Sequence, residues 1–259
     1  MEREYNMAGL IIKNLSKTFE IGNKKVLALK NIDLTVSNGS FVTIVGRSGC
    51  GKTTLLKLLC GLDTKSEGTS KLTDLIHGQN NKISIVFQEP RLMPWLTVEE
   101  NMAFSLINCK DKTYVNEKVS EYLKLLGLYN FRNAYPSQIS GGMAQRTSLG
   151  RTLCYEPQII LMDEPLGALD PFNRKKIQND LINIFLKGGK TILFVTHDIE
   201  EAIYLGQKII VMDTGSVIKE IPINIEYYRD IISEEFFYYK KQISNIFNKL
   251  PQEEQNEFY

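Results

Sequence analysis

The sequence lacks the features that would place a protein across a membrane or around a metal cluster. No apolar run approaches the roughly eighteen residues that a membrane-spanning helix needs, and residues 1–6 lack the apolar run of a secretory signal, so we expect none. The chain has only two histidines, His77 and His197, which are too few for an imidazole metal cluster. Its four cysteines show no C-x-x-C spacing, so we expect no zinc site and instead reduced thiols in a cytosolic compartment.

The sequence also lacks an excess of charge of either sign. Its 259 residues include 31 Lys and Arg against 30 Asp and Glu, which gives a net charge of +1. Nucleic-acid-binding domains usually carry a strongly basic face, so we expect no nucleic-acid partner. A hydrophobic fraction of 43% provides enough core for one large domain or two modest ones.

The most specific motif is a glycine-rich loop between a predicted strand and a predicted helix. It matches the P-loop pattern G-x-x-x-x-G-K-[ST] and follows a β-rich apolar run at residues 40–45. In such a loop, backbone N–H groups face the phosphates, Lys52 reaches the β- and γ-phosphates, and the Thr53 hydroxyl holds Mg²⁺. The alternative is a glycine turn before an ordinary helix, which the flanking elements disfavour. The predicted nucleoside triphosphate site consists of Gly46, Arg47, Ser48, Gly49, Cys50, Gly51, Lys52, Thr53 and Thr54.

A second motif places two carboxylates at the end of a buried strand. The apolar run at residues 159–162 is followed directly by Asp163 and Glu164. Open α/β sheets bind ligands outside the carboxyl ends of their strands, so both side chains are expected at the site. Asp163 would hold Mg²⁺, through water, and Glu164 would orient and deprotonate an attacking water. The alternative is a purely structural acidic turn.

The order of predicted elements indicates an α/β fold. Short apolar runs within residues 10–36 predict a small antiparallel group of strands, whereas residues 67–82 indicate only turns and weak strands. A capping box at Thr97 opens a helical stretch that extends to about residue 153. Later apolar runs alternate with helices and predict a mostly parallel sheet with strands at residues 159–162, 191–195 and 208–212. The aromatic tail from about Ile225 has the spacing of an amphipathic helix packed on the domain, with a partner-binding or regulatory helix as the alternative.

Four further motifs resemble those of the ATP-binding cassette (ABC) ATPases. The run from Ser140 to Arg146 resembles their signature sequence, Gln88 fits their Q-loop, and His197 fits their switch histidine. Residues 167–170 resemble their D-loop, and all motifs occur in the family's order between about residues 10 and 220. The resemblance implies a P-loop NTPase core with a mostly parallel sheet, an antiparallel β-subdomain and an inserted helical subdomain. The implied boundaries are an ABC ATPase domain at residues 8–222, its helical insertion at about 90–153, and a C-terminal helical tail at 223–259.

The same resemblance implies a head-to-tail dimer of two copies, with ATP between the P-loop of one and the signature of the other. Ser140 and the N–H groups of Gly141 and Gly142 would then face the γ-phosphate held by the second copy. His197 would contact the γ-phosphate, and Gln88 would sense Mg²⁺ and the attacking water. The aromatic ring implied to stack on adenine is Phe19, although Phe19 equally suits a β-core position. The implied nucleotide contacts outside the P-loop are Phe19, Ser140, Gly141, Gly142, Gln145 and Asp170, and the implied catalytic residues are Lys52, Gln88, Glu164 and His197.

A single cassette without a fused membrane segment resembles the ATPase subunits of bacterial importers. The stretch from Gln88 to Asn101 resembles the nitrate, sulfonate and taurine importer group in particular. This resemblance implies ATP-driven uptake of a small solute through a separate permease at the inner face of the cell membrane, served by a solute-binding protein. The permease's coupling helix would dock near Leu92, Met93 and Trp95, for which packing of the helical insertion is the alternative. An exporter, a lipid-handling complex or a soluble non-transport ABC ATPase is the competing function.

Overall fold

A computed structural model describes residues 8–22, 24–72, 83–167 and 169–250 of the chain. Nine strands are present in these ranges: β1 Ala8–Ile21, β2 Lys24–Ser37, β3 Phe41–Gly46, β4 Glu67–Leu72, β5 Ile83–Val86, β6 Ile159–Asp163, β7 Thr191–Thr196, β8 Lys208–Asp213 and β9 Ser216–Pro222. The same ranges hold seven α-helices: α1 Lys52–Leu59, α2 Val98–Ala103, α3 Lys112–Leu125, α4 Gly141–Cys154, α5 Pro171–Gly188, α6 Ile199–Leu205 and α7 Glu234–Lys249. Among the described residues, no helix has both the length and the hydropathy to cross a bilayer.

The central sheet has the strand order β5-β6-β7-β3-β8-β9, and only β9 runs antiparallel to its neighbour. Strands β3, β6 and β7 are buried along their whole length, which explains why they appear in the sequence as continuous apolar runs. In the register of these strands, Val45 lies opposite Thr196 and Asp163 lies opposite Val195. The carboxyl ends of the three strands therefore meet at one edge of the sheet.

A second sheet, with the order β2-β1-β4, is antiparallel throughout. The apolar runs at residues 26–29 and 32–36 both belong to the single strand β2. Asn31 adopts a φ of 46° at an irregularity between them, and the strand continues past it. The first part of the predicted weak-strand segment forms β4. The rest of that segment, with His77, lies outside the described residues.

Two hydrophobic cores lie on opposite faces of the central sheet, because side chains alternate along each strand. Phe41 and Val45 face a core shared with the helical insertion, α5, α6 and α7. Val42 and Ile44 face the other core, which α1 and the antiparallel sheet complete. The helix that follows the P-loop is thus packed on one face, and the helix that follows His197 is packed on the other.

The helical insertion begins at the predicted capping box, where Thr97 and Glu100 satisfy each other's backbone N–H groups. Buried Asn101 orders the preceding segment, because its amide donates to the carbonyl oxygens of Met93, Leu96 and Thr97 and its oxygen accepts from the Met93 N–H.

The C-terminal helix α7 begins at Glu234 rather than near Ile225, so this predicted boundary is wrong. Tyr228 has a φ of 62°, which interrupts the helical conformation, and Ser233 caps the start of α7. Phe236 and Ile243 are buried in the core on one face of the central sheet, as the amphipathic spacing predicts.

Candidate active site

The glycines of the P-loop occupy positions that a side chain could not share. Gly49 and Gly51 have φ values of 79° and 100°, in the left-handed region that favours glycine. A Cβ at Gly46 would lie 2.4 Å from the Met212 carbonyl oxygen, and one at Gly51 would lie 2.6 Å from that of Ala28. The loop is therefore closely packed against strands β8 and β2, and its shape depends on these glycines.

Lys52 lies at the first position of α1, beneath the loop. Its buried ammonium donates to the carbonyl oxygens of Gly46 and Arg47 at 2.8 and 3.0 Å. The same nitrogen lies 3.8 Å from Glu164 Oε1. The loop thus curls around a fixed positive charge, and a phosphate that enters the loop meets this charge together with the N-terminus of α1.

Thr53 and Asp163 join the P-loop to the end of β6. The Thr53 hydroxyl donates to Asp163 Oδ1 at 2.9 Å. Burial raises the pKa of the Asp163 carboxyl above its usual value, against the opposing effect of the Thr53 hydrogen bond. Within the described ranges, no three or more His, Cys, Asp and Glu side chains gather to hold a metal alone. One carboxylate with one hydroxyl suits Mg²⁺, which commonly takes its other ligands from phosphate and water.

Glu164 lies between two nitrogen groups at the same edge. Its Oε2 is 2.9 Å from His197 Nδ1, while its Oε1 faces Lys52. The Glu164 backbone has a φ of 45°, a strained conformation for a side-chain-bearing residue, and its N–H donates to the Val195 carbonyl oxygen. The His197 side chain is 58% exposed, so solvent reaches the carboxylate–imidazole pair. A water molecule could approach Glu164 from this side.

A buried polar network, which sequence reasoning missed, supports the His197 segment. Glu201 on α6 is buried, and it accepts hydrogen bonds from the Thr196 hydroxyl at 2.6 Å and from the Gln178 amide at 3.1 Å. The Thr196 hydroxyl in turn accepts from the Asp198 N–H. Burial raises the pKa of Glu201, and the two hydrogen bonds oppose this shift. The only signal in the sequence is a glutamate directly before Ala202 on a short helix whose inner face is apolar.

The Q-loop residue is brought close to the Asp-Glu turn. Gln88 Nε2 lies 3.4 Å from the position that a Cβ on Gly167 would take. From the signature helix α4, the Gln145 amide donates to the Phe87 carbonyl oxygen, and Arg151 donates to the carbonyl oxygens of two residues that follow Gln88, Pro90 and Arg91. Helix α4 therefore holds the segment that carries Gln88.

The signature residues lie at the start of α4. Ser140 caps this helix by accepting from the Met143 N–H, and a Cβ on Gly141 would meet nothing within 4 Å. Gly142 packs beside Asn173, which binds the capping residue Asp170 at the start of α5. The signature and the D-loop are thus adjacent to each other and partly open.

Phe19 and Trp95 differ in their exposure to solvent. The Phe19 ring on β1 is half-buried, and Lys17 Nζ is 4.7 Å from the ring centroid. Trp95 is 72% exposed, whereas Leu92 and Met93 beside it are half-buried. Met93 also contacts Arg151 of α4, so this surface is connected to the signature helix.

Known proteins share both the sequence and the fold of this chain. The ABC transporter family model matches residues 29–167, more than half of the chain. The aliphatic sulfonates import ATP-binding protein SsuB of Bacillus cereus is 44% identical over 241 residues, which cover 92% of this chain and 95% of that protein. An uncharacterized ABC transporter ATP-binding protein of Methanocaldococcus jannaschii is 42% identical over 249 residues, which cover 95% of this chain and 93% of that protein.

Solved structures of similar proteins have the same fold as this chain. A dimeric ATP-binding cassette in a post-hydrolysis state, bound to ADP and Pi, has a TM-score of 0.74 and 34% identity, covering 84% of this chain and all of that one. CbiO1 of Clostridium perfringens, part of the ABC transporter complex cbiONQ, has a TM-score of 0.76 and 25% identity, covering 95% of this chain and 96% of that one. The fold class and the family resemblance predicted from the motifs are confirmed. The chain belongs to the ABC transporter family, among its ATP-binding cassettes.

Proposed function

We propose that this chain is the ATP-hydrolysing subunit of an ABC importer and drives uptake of an aliphatic sulfonate or a related small oxyanion. The observation that carries the hydrolytic function is the convergence of Lys52, Glu164 and His197 at one sheet edge, beside the Thr53–Asp163 pair. The solute class is supported by the similarity to SsuB proteins of several Bacillus species.

The P-loop and Lys52 bind the phosphates of ATP. Backbone N–H groups of the loop, the N-terminus of α1 and the Lys52 ammonium all present positive charge to the same small volume. Thr53 and Asp163 would hold Mg²⁺, which neutralises charge on the β- and γ-phosphates when bound. Protonation of Asp163 would weaken this site, so its raised pKa predicts a loss of metal binding in acid. Phe19, half-buried on β1, would stack on the adenine.

Glu164 acts as the general base. The water oxygen bonds to the γ-phosphorus, the bond from that phosphorus to the leaving ADP oxygen breaks, and the water proton passes to the Glu164 carboxylate. His197 fixes the orientation of this carboxylate through the 2.9 Å contact, and its exposed ring is free to meet the γ-phosphate. Gln88 lies next to the Asp-Glu turn. Its side chain orients the water and changes position when Mg²⁺ binds or leaves.

The partner in catalysis is a second copy of the chain. Ser140 and Gly141 stand open at the start of the 14-residue helix α4, a suitable place for an anion from another subunit. Asp170 lies beside this start and would line the interface. The similarity to a dimeric cassette bound to ADP and Pi supports a dimer, for which we propose the head-to-tail arrangement.

The partner in transport is a membrane permease at the inner face of the cell membrane. Trp95 presents a large apolar surface next to Leu92 and Met93, which suits a short amphipathic helix from the permease. Arg151 connects this surface to the signature helix. A displacement of the surface on docking would therefore move the signature helix, which would face the ATP of the second copy. A solute-binding protein would select the cargo outside the membrane.

Tagged Glu164→Gln, purified from native membranes with ATP and Mg²⁺, tests both parts of the proposal. The amide keeps the shape of the carboxylate but accepts no proton, so turnover falls by about 10² to 10⁴-fold while ATP binding persists and a dimer accumulates. Turnover within about tenfold of wild type contradicts the role of Glu164. Recovery of only soluble or nucleic-acid-bound partners, in place of a multi-spanning protein, contradicts the transport function and leaves the ATPase chemistry intact.

A further inference from the structure

The C-terminal segment, defined here as residues 223–249, reaches the phosphate loop. The Arg47 guanidinium, which projects from the second position of the P-loop, donates to the Phe247 carbonyl oxygen at 3.0 Å. Phe247 lies in the last turn of α7, where its carbonyl oxygen also accepts from the Leu250 N–H at 3.3 Å and where a cation is favoured by the helix dipole. One side chain of the P-loop thus binds the C-terminal segment.

The same segment is also hydrogen-bonded to the helix that follows His197. Buried Arg229 donates to the carbonyl oxygens of Ile203 and of Gly206, the latter at 2.8 Å, at the C-terminal end of α6. A planar guanidinium can satisfy two terminal carbonyl groups at once, and its charge is favoured by the helix dipole. Helix α6 begins two residues after His197.

The outer face of α6 is held by α7. Lys240 Nζ lies 2.6 Å from Glu200 Oε1, on the first turn of α6. Phe236 and Ile243 of α7 are buried in the same hydrophobic core as Ile203. Apolar packing therefore joins the two helices along their length, with Arg229 at one end of α6 and Lys240 near the other.

We propose that the C-terminal segment is a positioning element for ATP hydrolysis, which links the P-loop to α6 and so keeps His197 in contact with Glu164. The proposal rests on the ATPase function proposed above. Helix α7 contacts the phosphate loop through Phe247 and the histidine helix through its buried face, so a shift of the loop and a shift of α6 are mechanically linked. Loss of either attachment leaves the phosphate site formed but lets the histidine move relative to the carboxylate.

A double-mutant cycle on the purified ATPase tests this link. The four proteins are wild type, Arg47→Ala, a chain that ends at Ser244, and the combination of both changes. We expect each single change to lower kcat by about tenfold, because small misplacements of reacting groups have effects of this order, and to leave KM for MgATP nearly unchanged. The combination should be no slower than either single variant, since both changes break the same contact. Phe237→Ala is the matched control, because Phe237 is an exposed residue of α7.

Three results would overturn the proposal. If Arg47→Ala raises KM equally in the full and the shortened chains, Arg47 acts on ATP directly and not through Phe247. If the shortened chain loses thermal stability but keeps its kcat well below its Tm, the tail only stabilises the fold. If the shortened chain does not fold, Arg229→Lys replaces it, and an unchanged kcat in that variant refutes the positioning role. An inactive wild type would instead refute the ATPase function itself.

Discussion

Glu201 provides a sharp test of how the His197 segment is held. Glu201 is 6% exposed, and its carboxylate accepts from two donors, the Thr196 hydroxyl and the Gln178 amide. Glu201→Gln imitates the protonated carboxyl, because its amide oxygen still accepts from Gln178 and its amide nitrogen, like a carboxyl O–H, donates to the Thr196 oxygen. Glu201→Ala removes the acceptor and leaves two buried donors, the Thr196 O–H and the Gln178 N–H, without this partner. The two substitutions at one position should therefore differ strongly in their effect on the free energy of unfolding.

The expected difference is large enough to measure. Each unpaired buried group costs about 1–3 kcal/mol, and relief from burying the carboxylate offsets part of this cost, so Glu201→Ala should lose about 2–4 kcal/mol. For a chain of this size, about 2–4 °C of Tm corresponds to each kcal/mol, which predicts a fall of about 4–16 °C. Glu201→Gln should change the free energy of unfolding by less than about 1 kcal/mol at mildly acidic pH.

The pH dependence of the Tm tests whether burial raises the pKa of Glu201. Burial raises the pKa of Glu201 above the 4.5 of an exposed glutamate, so the folded state binds the proton more tightly than the unfolded state does. The stability that this proton provides is fully present below pH 4.5 and is lost as the pH rises through the folded-state pKa. Glutamine does not titrate. The Tm of Glu201→Gln should therefore rise relative to wild type between about pH 5.5 and about pH 8.

Thermal unfolding of the three proteins at both pH values, followed by calorimetry, is the assay. If Glu201→Gln is destabilised as strongly as Glu201→Ala at both pH values, the wild-type side chain is a stabilised carboxylate ion, and the reasoning from burial is refuted. A Tm difference between Glu201→Gln and wild type that shrinks as the pH rises would refute it equally.

Two further substitutions test packing and metal binding. Gly150→Ala should lose up to about 2 kcal/mol in urea unfolding, because its Cβ would lie 2.4 Å from Met102 Cε and overpacking outweighs the gain of about 1 kcal/mol in helix propensity; a net gain would show that Met102 simply moves aside. Thr53→Val removes the hydroxyl that donates to Asp163 and should raise the Mg²⁺ concentration for half-maximal ATPase activity by about tenfold. Thr53→Ser keeps the hydroxyl and should restore the wild-type requirement, whereas an unchanged requirement in Thr53→Val would contradict the metal role.

The phosphate site could be predicted from the sequence because its physical constraints are local. Glycines at fixed spacing, a lysine at the helix start and a fully apolar strand before them express one backbone conformation in consecutive residues. The Asp163–Glu164 pair was predictable for the same reason, since it directly follows a buried strand. The short distances from Glu164 to Lys52 and His197 were not, because they arise from the order of strands in the sheet.

The supporting residues could not be predicted because their partners are distant in the sequence. Arg229 is one of 31 basic residues, and nothing in the sequence distinguishes it from the others. Its role at the end of α6 depends on two carbonyl groups that lie more than twenty positions earlier. Arg47 stood inside a recognised motif, but its side chain turns to Phe247, 200 residues further along the chain. The start of α7 was misplaced because an aromatic stripe resembles a helix, and the left-handed conformation of Tyr228 leaves no compositional mark.

The site lies at the edge of the central sheet where the carboxyl ends of its strands meet, so catalysis depends on the buried strands of that sheet. The phosphate loop, Asp163 and His197 follow three adjacent strands, β3, β6 and β7, and each strand is buried on both faces. A one-residue slip of β6 against β7 would turn Asp163 to the opposite face and break the bond from the Glu164 N–H to Val195. The strain in the Glu164 backbone persists only while this register holds. Substitutions deep in these strands should therefore impair turnover before they unfold the protein, since a small shift at the edge separates the base from the phosphate site.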